Sequence, residues 1–307
     1  MEFRPTKQST MPSGIPYIVG NEAAERFSYY GMKAILAIFM TEHLIMSQST
    51  ATSWIHSFGM AAYFFPLIGA FVSDIFLGKY KTIISLSIVY CLGHLVLALF
   101  EGSQEGVAVG LTLIAVGSGG IKPCVSSHVG DQFSSSNKHL IERVFGYFYI
   151  AINVGAFVSS LLTPWLLQVA GPSVAFGIPG ALMLLATFIF WLGRKKFIAI
   201  EPVGWSTYKH FLFSRQGLRS IGKLLMIYVF IAFFWALFEQ TMSTWVLQAK
   251  QDLMIKTFRF GETTLSILPD QVQSVNALMI LLLTPTFSFL IYPLIGRVVR
   301  LTPLRKI

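Results

Sequence analysis

The stretch Asn21–Lys33, NEAAERFSYYGMK, decides how the chain is read. It lies inside the first long apolar segment, yet it carries Glu22, Glu25, Arg26 and Lys33. At about 100° per residue, Glu22, Arg26, Tyr29 and Lys33 fall on one helical stripe, with Glu25 one position to its side. Charges in hydrocarbon are costly, so they face a bundle interior or a wet cavity and mark a pathway. A lone Glu22–Arg26 pair, four residues apart, would be a buried structural ion pair. The further charges of Glu25 and Lys33 on adjacent faces favour a cavity lining. A carboxylate there binds a proton when desolvation penalises its charge and releases it when a base draws near. A group that changes partner can therefore couple protonation to movement.

The rest of the chain supplies a membrane around that stripe. Of 307 residues, 54% are hydrophobic and 12% charged, with mean hydropathy +0.65. Soluble domains carry about 25% charged residues. Segments of roughly 20 apolar residues can span a bilayer, and eight occur, at 15–40, 51–73, 80–100, 106–129, 143–168, 174–193, 222–248 and 271–296. Of the 23 Lys and Arg, 17 fall in the amino-terminal tail, the connections 2–3, 4–5 and 6–7, and the segment after span 8. Connections 1–2, 3–4 and 5–6 have none and hold Glu42, Glu101 and Glu105 instead. Loop 7–8 is the exception, with Lys250, Lys256 and Arg259. The positive-inside bias places the amino terminus in the cytoplasm. The one-sided loops also account for the net charge of +9 without a nucleic-acid partner. Cys91 and Cys124 both fall in spans, which argues against a disulfide framework. Residues 1–14 form a polar tail with Arg4 and Lys7 and lack a signal-peptide core.

Other spans carry chemistry that could face the stripe. In span 2, His56 stands near the outer end, where a titratable ring suits proton entry or simply sits at the interface. Tyr63, mid-span, is a pocket or packing residue. In span 4, AVGSGGIKPCVSS sets Lys122 in an apolar segment beside three glycines and Pro123. Gly and Pro loosen a helix, which is tolerated where it lines a cavity. Lys122 could pair with Glu22 or Glu25, or hold a substrate carboxylate. Asn153 in span 5 and Asn276 at the start of span 8 are polar, and each could equally be helix-packing glue or a helix-start residue. In span 7, Glu239 and Gln240 interrupt an aromatic run one turn after Trp235, and a single acid in an apolar span is a functional candidate. The exit of span 2, SDIFLGKYKT, resembles the gating loop between helices 2 and 3 of the major facilitator superfamily through Asp74, Gly78 and Lys79. Ala70 stands where that motif starts with Gly.

ERFSYYGM in span 1, GSGGIKPCVS in span 4, FYIAINVGAF in span 5 and FFWALFEQ in span 7 together resemble the proton-dependent oligopeptide transporters (the POT or PTR family) within that superfamily. The resemblance covers essentially the whole chain, but only the first two thirds of a member. It implies proton-driven uptake of di- and tripeptides by alternating access. It places proton coupling on Glu22, Glu25 and Arg26, with His56 and Glu239 as further proton-handling groups. The peptide carboxylate would be held by Lys33, where many members have Arg, and by Lys122. The peptide amino group would be held by Glu239, Asn153 and Asn276. Tyr29, Tyr30 and Tyr63 would line the pocket, with Trp235 as a side-chain contact. A Lys at position 33 binds a carboxylate as a point charge, without the bidentate geometry of Arg.

The expected fold is an all-α integral membrane bundle of major facilitator type. It comprises a cytoplasmic tail (1–14), a complete six-helix half (15–193), a basic cytoplasmic linker (194–221) and the first two helices of a truncated second half (222–307). The expected setting is the plasma membrane, crossed many times by a monomeric transport unit with small peptides and the lipid bilayer as partners. The proton is the coupling ion, and no other cofactor is expected. No nucleophile–base or metal-ligand spacing lies on one wet face, which argues against an enzyme. Two alternatives stand beside this reading: a same-fold transporter of nitrate or another small anion, and a non-transporting truncated remnant.

Overall fold

A computed structural model describes residues 10–251, 257–260 and 263–297. Arg4, Lys7, Lys256, Arg300, Arg305 and Lys306, assigned above to tail and loops, lie outside the described residues. The helices in chain order are α1 (Ile15–Ile38), α2 (Gln48–Val72), α3 (Lys79–Leu99), α4 (Gln104–Asp131), α5 (Ile141–Ala170) and α6 (Pro172–Leu192). They are followed by α7 (Gly204–Leu212), α8 (Arg215–Phe238), α9 (Thr244–Ala249), α10 (Ser274–Thr286) and α11 (Tyr292–Gly296). Among the described residues the one sheet is an antiparallel hairpin, β1 (Thr257–Phe260) with β2 (Thr263–Ser266), between α9 and α10.

Seven helical stretches among the described residues are long and apolar enough to cross a membrane. The eighth expected span, α1, is 24 residues long and carries the four charges of the opening stretch. Local chemistry sets the ends. Ser47, Ser103 and Ser214 cap α2, α4 and α8, each side chain accepting from the backbone N–H three residues on. Such a cap satisfies one of the amides left free at a helix start. The Ser214 cap starts α8 at Arg215, seven residues before the apolar stretch that marked span 7. The connection after α6 is partly helical, through α7. Gly78, at φ +75°, turns the chain between α2 and α3 in a conformation that favours glycine.

The six helices α1–α6 hold most of the buried core, and α1 is at its centre between α5 and α6. In lipid, helices associate through close van der Waals packing, and small residues permit it. At the crossing of α2 and α4 a Cβ on Gly69 would lie 2.2 Å from the Gly120 carbonyl oxygen, so the two backbones touch there. Helices α8 and α10 dock on this bundle at a few points and otherwise present apolar side chains outward.

Candidate functional site

The charged stripe of α1 is buried as the periodicity predicts: Glu22, Glu25, Arg26, Tyr29 and Lys33 are all less than a tenth exposed. Arg26 serves both acids. Its Nε lies 2.8 Å from Glu22 Oε1 and 2.8 Å from Glu25 Oε2. The Ser118 hydroxyl of α4 donates to the other Glu25 oxygen at 2.9 Å. Arg26 and Ser118 make the direct contacts to these acids, so Lys122 acts on Glu25 through its field and not through a close ion pair. Lys122 Nζ instead stands 4.5 Å from the Tyr29 ring centroid and 5.1 Å from that of Tyr63. Rings at that distance stabilise a cation through their quadrupoles. No carboxylate lies within 4 Å of Lys122 among the described residues.

Three turns up the same face, Lys33 is paired already. Its Nζ is 2.5 Å from Glu239 Oε2, and the Tyr63 hydroxyl donates to Glu239 Oε1 at 3.2 Å. Glu239 stands where α8 gives way to a short 3₁₀ turn, Glu239–Met242, before α9 resumes. A 3₁₀ stretch inside a longer helix often marks a hinge or a strained position. Trp235 lies one turn back, its ring 5.5 Å from that of Tyr63. Tyr30 packs edge-on against Tyr29 at 5.5 Å. Lys33 and Glu239, to which the resemblance assigns opposite ends of a peptide, are therefore paired with each other here.

Further contacts tie α1, α2 and α5 to α9 and α10, toward the end of α1 that carries Lys33. His56 Nε2 is 3.1 Å from Ser243 Oγ, Lys250 pairs with Glu42 at 2.8 Å, and Gln273 donates to the Ala34 carbonyl at 3.0 Å. Gln271 donates to the Leu161 carbonyl at 2.9 Å. Asn153 and Asn276 are not joined to Glu239. Asn153 donates back to the Tyr149 carbonyl of its own helix at 2.7 Å, and Asn276 lines an apolar recess with Phe234, Phe238 and Trp245. At the opposite end of the bundle, Lys79 pairs with Asp131 of α4 at 2.6 Å rather than with Asp74. The Asp74 carbonyl accepts from Val203 N–H at 2.8 Å, which fastens the α6–α7 connection to this loop. Ser118, Asp131 and Ser243 were not singled out from the sequence. Ser118 sits inside the quoted GSGG stretch, but a serine carries no pattern that names its partner.

A sequence profile described as the POT family matches residues 80–214 and 213–307. Solute carrier family 15 member 2 of Danio rerio is 38% identical over 96% of this chain and 47% of its own length. Peptide transporter family 1 of Drosophila melanogaster is 37% identical over 96% of this chain and 45% of its own. The chain thus spans about half the length of the curated relatives it matches. Among solved structures, the in meso crystal structure of the POT family transporter PepTSo superposes with a TM-score of 0.83 at 36% identity, covering 97% of this chain and 73% of that one. An auto-inhibited POT family peptide transporter gives 0.81 at 35% identity, covering 96% and 72%.

Proposed function

The chain belongs to the POT family, and from that premise we propose that it serves proton-coupled symport of di- and tripeptides by alternating access. Its all-α bundle, of major facilitator type, supplies one wall of the cavity through α1–α6 and part of the other through α8–α11. The observation that carries the reading is the disposition of three charges around Tyr63. Lys122 is a cation cradled by two phenols, and beside it Lys33 and Glu239 form a pair that joins the two walls. A peptide is a zwitterion with a variable middle. Its carboxylate would settle on Lys122, and its ammonium would compete for Glu239. Lys33, released, would then join Lys122 on the carboxylate. Binding at both ends selects short peptides, while Tyr29, Tyr30 and Trp235 tolerate varied side chains.

Proton coupling follows from shared partners. Protonation of Glu239 weakens its hold on Lys33 and frees the walls to part. Glu22 and Glu25 share Arg26, so a proton on one leaves the cation to the other, and the pair can store a proton without an unbalanced buried charge. We place the amino terminus in the cytoplasm of a plasma-membrane, multi-pass, monomeric transport unit, with the proton as coupling ion. On that topology the ties through Lys33, His56, Glu42 and Gln273 close the outer side. The test is uptake of a labelled dipeptide into proteoliposomes driven by an inward proton gradient. Accumulation abolished by an uncoupler is the expected result. Uptake of nitrate without dipeptide, or no movement of either, overturns the reading.

A further inference from the structure

Helix α1 has a second polar stripe, turned about 100° from the first: Asn21, Glu25 and Ser28. Helix α3 presents Ser87, Tyr90 and His94 over the same seven-residue length. All six are at most 1% exposed. At the upper end of this seam His94 Nε2 is 2.8 Å from Ser28 Oγ, and its Nδ1 is 3.2 Å from the Phe176 carbonyl oxygen of α6. A carbonyl only accepts, so Nδ1 carries the hydrogen; in the neutral tautomer that leaves Nε2 to accept from the Ser28 hydroxyl. One imidazole thereby ties three helices. Its ring stacks on Tyr90 at 5.2 Å, and a Cβ on Gly180 would come within 2.6 Å of His94 Cβ, so the slot is fitted to this side chain.

Asn21 and Ser87 make no side-chain hydrogen bond, while the Tyr90 hydroxyl faces Ser28 outside ordinary hydrogen-bond geometry. Two α3 side chains thus converge on Ser28, and among the described residues Ser28–His94 is the α1–α3 side-chain bond of ordinary geometry. We infer that His94 and Ser28 are positioning residues for Glu25, their bond fixing the rotation of α1 so that Glu25 stays on Ser118 and Arg26. Glu25 and Ser28 project from one rigid turn, so a rotation that carries Ser28 off His94 also carries Glu25 off Ser118. The ionisable groups that interact with Glu25 are Glu22, Arg26 and Tyr29 on α1, Tyr90 on α3 and Lys122 on α4; α6 carries no ionisable residue. His94 stands outside this set and bonds α1 and α6, which gives it leverage over the helix rather than over the charge.

The inference rests on the proton-coupling role proposed above, and its test separates the two. His94→Leu and Ser28→Ala are compared with His94→Gln, whose amide can donate to the Phe176 carbonyl and accept from Ser28. Proton-driven dipeptide accumulation is expected to fall at least tenfold in the first two, while proton-independent peptide exchange stays within twofold. Combining them adds no further loss, and His94→Gln stays within twofold of wild type. In parallel, pH-titrated infrared difference spectra follow the carboxyl band that Glu25→Gln removes, and its midpoint shifts by about one pH unit in His94→Leu. An unshifted midpoint, or a Gln variant as impaired as Leu, overturns the inference. If wild type moves no peptide, the transport reading falls, and the infrared titration still decides the role of His94. Should His94→Leu fail to fold, Ser28→Ala carries both readouts.

Discussion

Replacing Lys33 by Met tests the pair that joins the two walls. At 2.5 Å two unit charges attract by about 7 kcal/mol at an effective dielectric of about 20. Desolvating each ion costs several kcal/mol, so the net worth of the intact pair is small. Breaking it on one side nevertheless costs about 3–5 kcal/mol, because the remaining ion is left buried and unpaired. Lys33 is 2% exposed and the Glu239 side chain 18%, so little water can replace the lost partner. Glu239 would keep only the Tyr63 hydroxyl at 3.2 Å. The single variant is expected to lose about 5–15 °C in apparent Tm in detergent, and Lys33→Met with Glu239→Leu should recover most of it. The loss should also loosen the cleft of about 560 Å³ that Gln48, Thr52, Thr244 and Gln248 line between α2 and α9. Thr52→Cys, in a background with Cys91 and Cys124 removed, should then label faster with a membrane-impermeant maleimide. Additive Tm effects in the double-mutant cycle together with an unchanged labelling rate would refute the reasoning.

Three further outcomes follow from named contacts. Gly69→Ala must push α2 and α4 apart by about 1 Å, an overpacking cost of about 1–3 kcal/mol; thermal stability should drop, whereas Gly20→Ala, with nothing within 4 Å of the added carbon, should not. Lys122→Ala should weaken dipeptide binding by at least tenfold in a direct binding assay; unchanged affinity would discard its carboxylate role. Glu22→Gln should abolish proton-driven accumulation while sparing peptide exchange, and unchanged accumulation would remove Glu22 from the coupling path.

The sequence by itself determined which face of α1 is polar, because a helix repeats every 3.6 residues whatever surrounds it. Apolar length, also a local property, placed the other spans to within a few residues, except α8, whose start is set by the Ser214 cap and not by hydropathy. Partners were a different matter. Lys33 meets Glu239 across 206 positions of chain, and Lys79 takes Asp131 rather than the nearby Asp74. Nothing in a linear period encodes such a choice, since it depends on which helices the packing makes neighbours. Lys122 illustrates the limit most clearly. As a buried cation it was legible at once as a functional candidate, and either acid of the stripe was a reasonable partner. Only the assembled bundle shows Arg26 holding both acids and two phenols holding Lys122. The sequence determined that charges line the interior. Tertiary structure decided which are spent on one another and which stay open, because pairing depends on distances of a few ångströms that only the packed helices set.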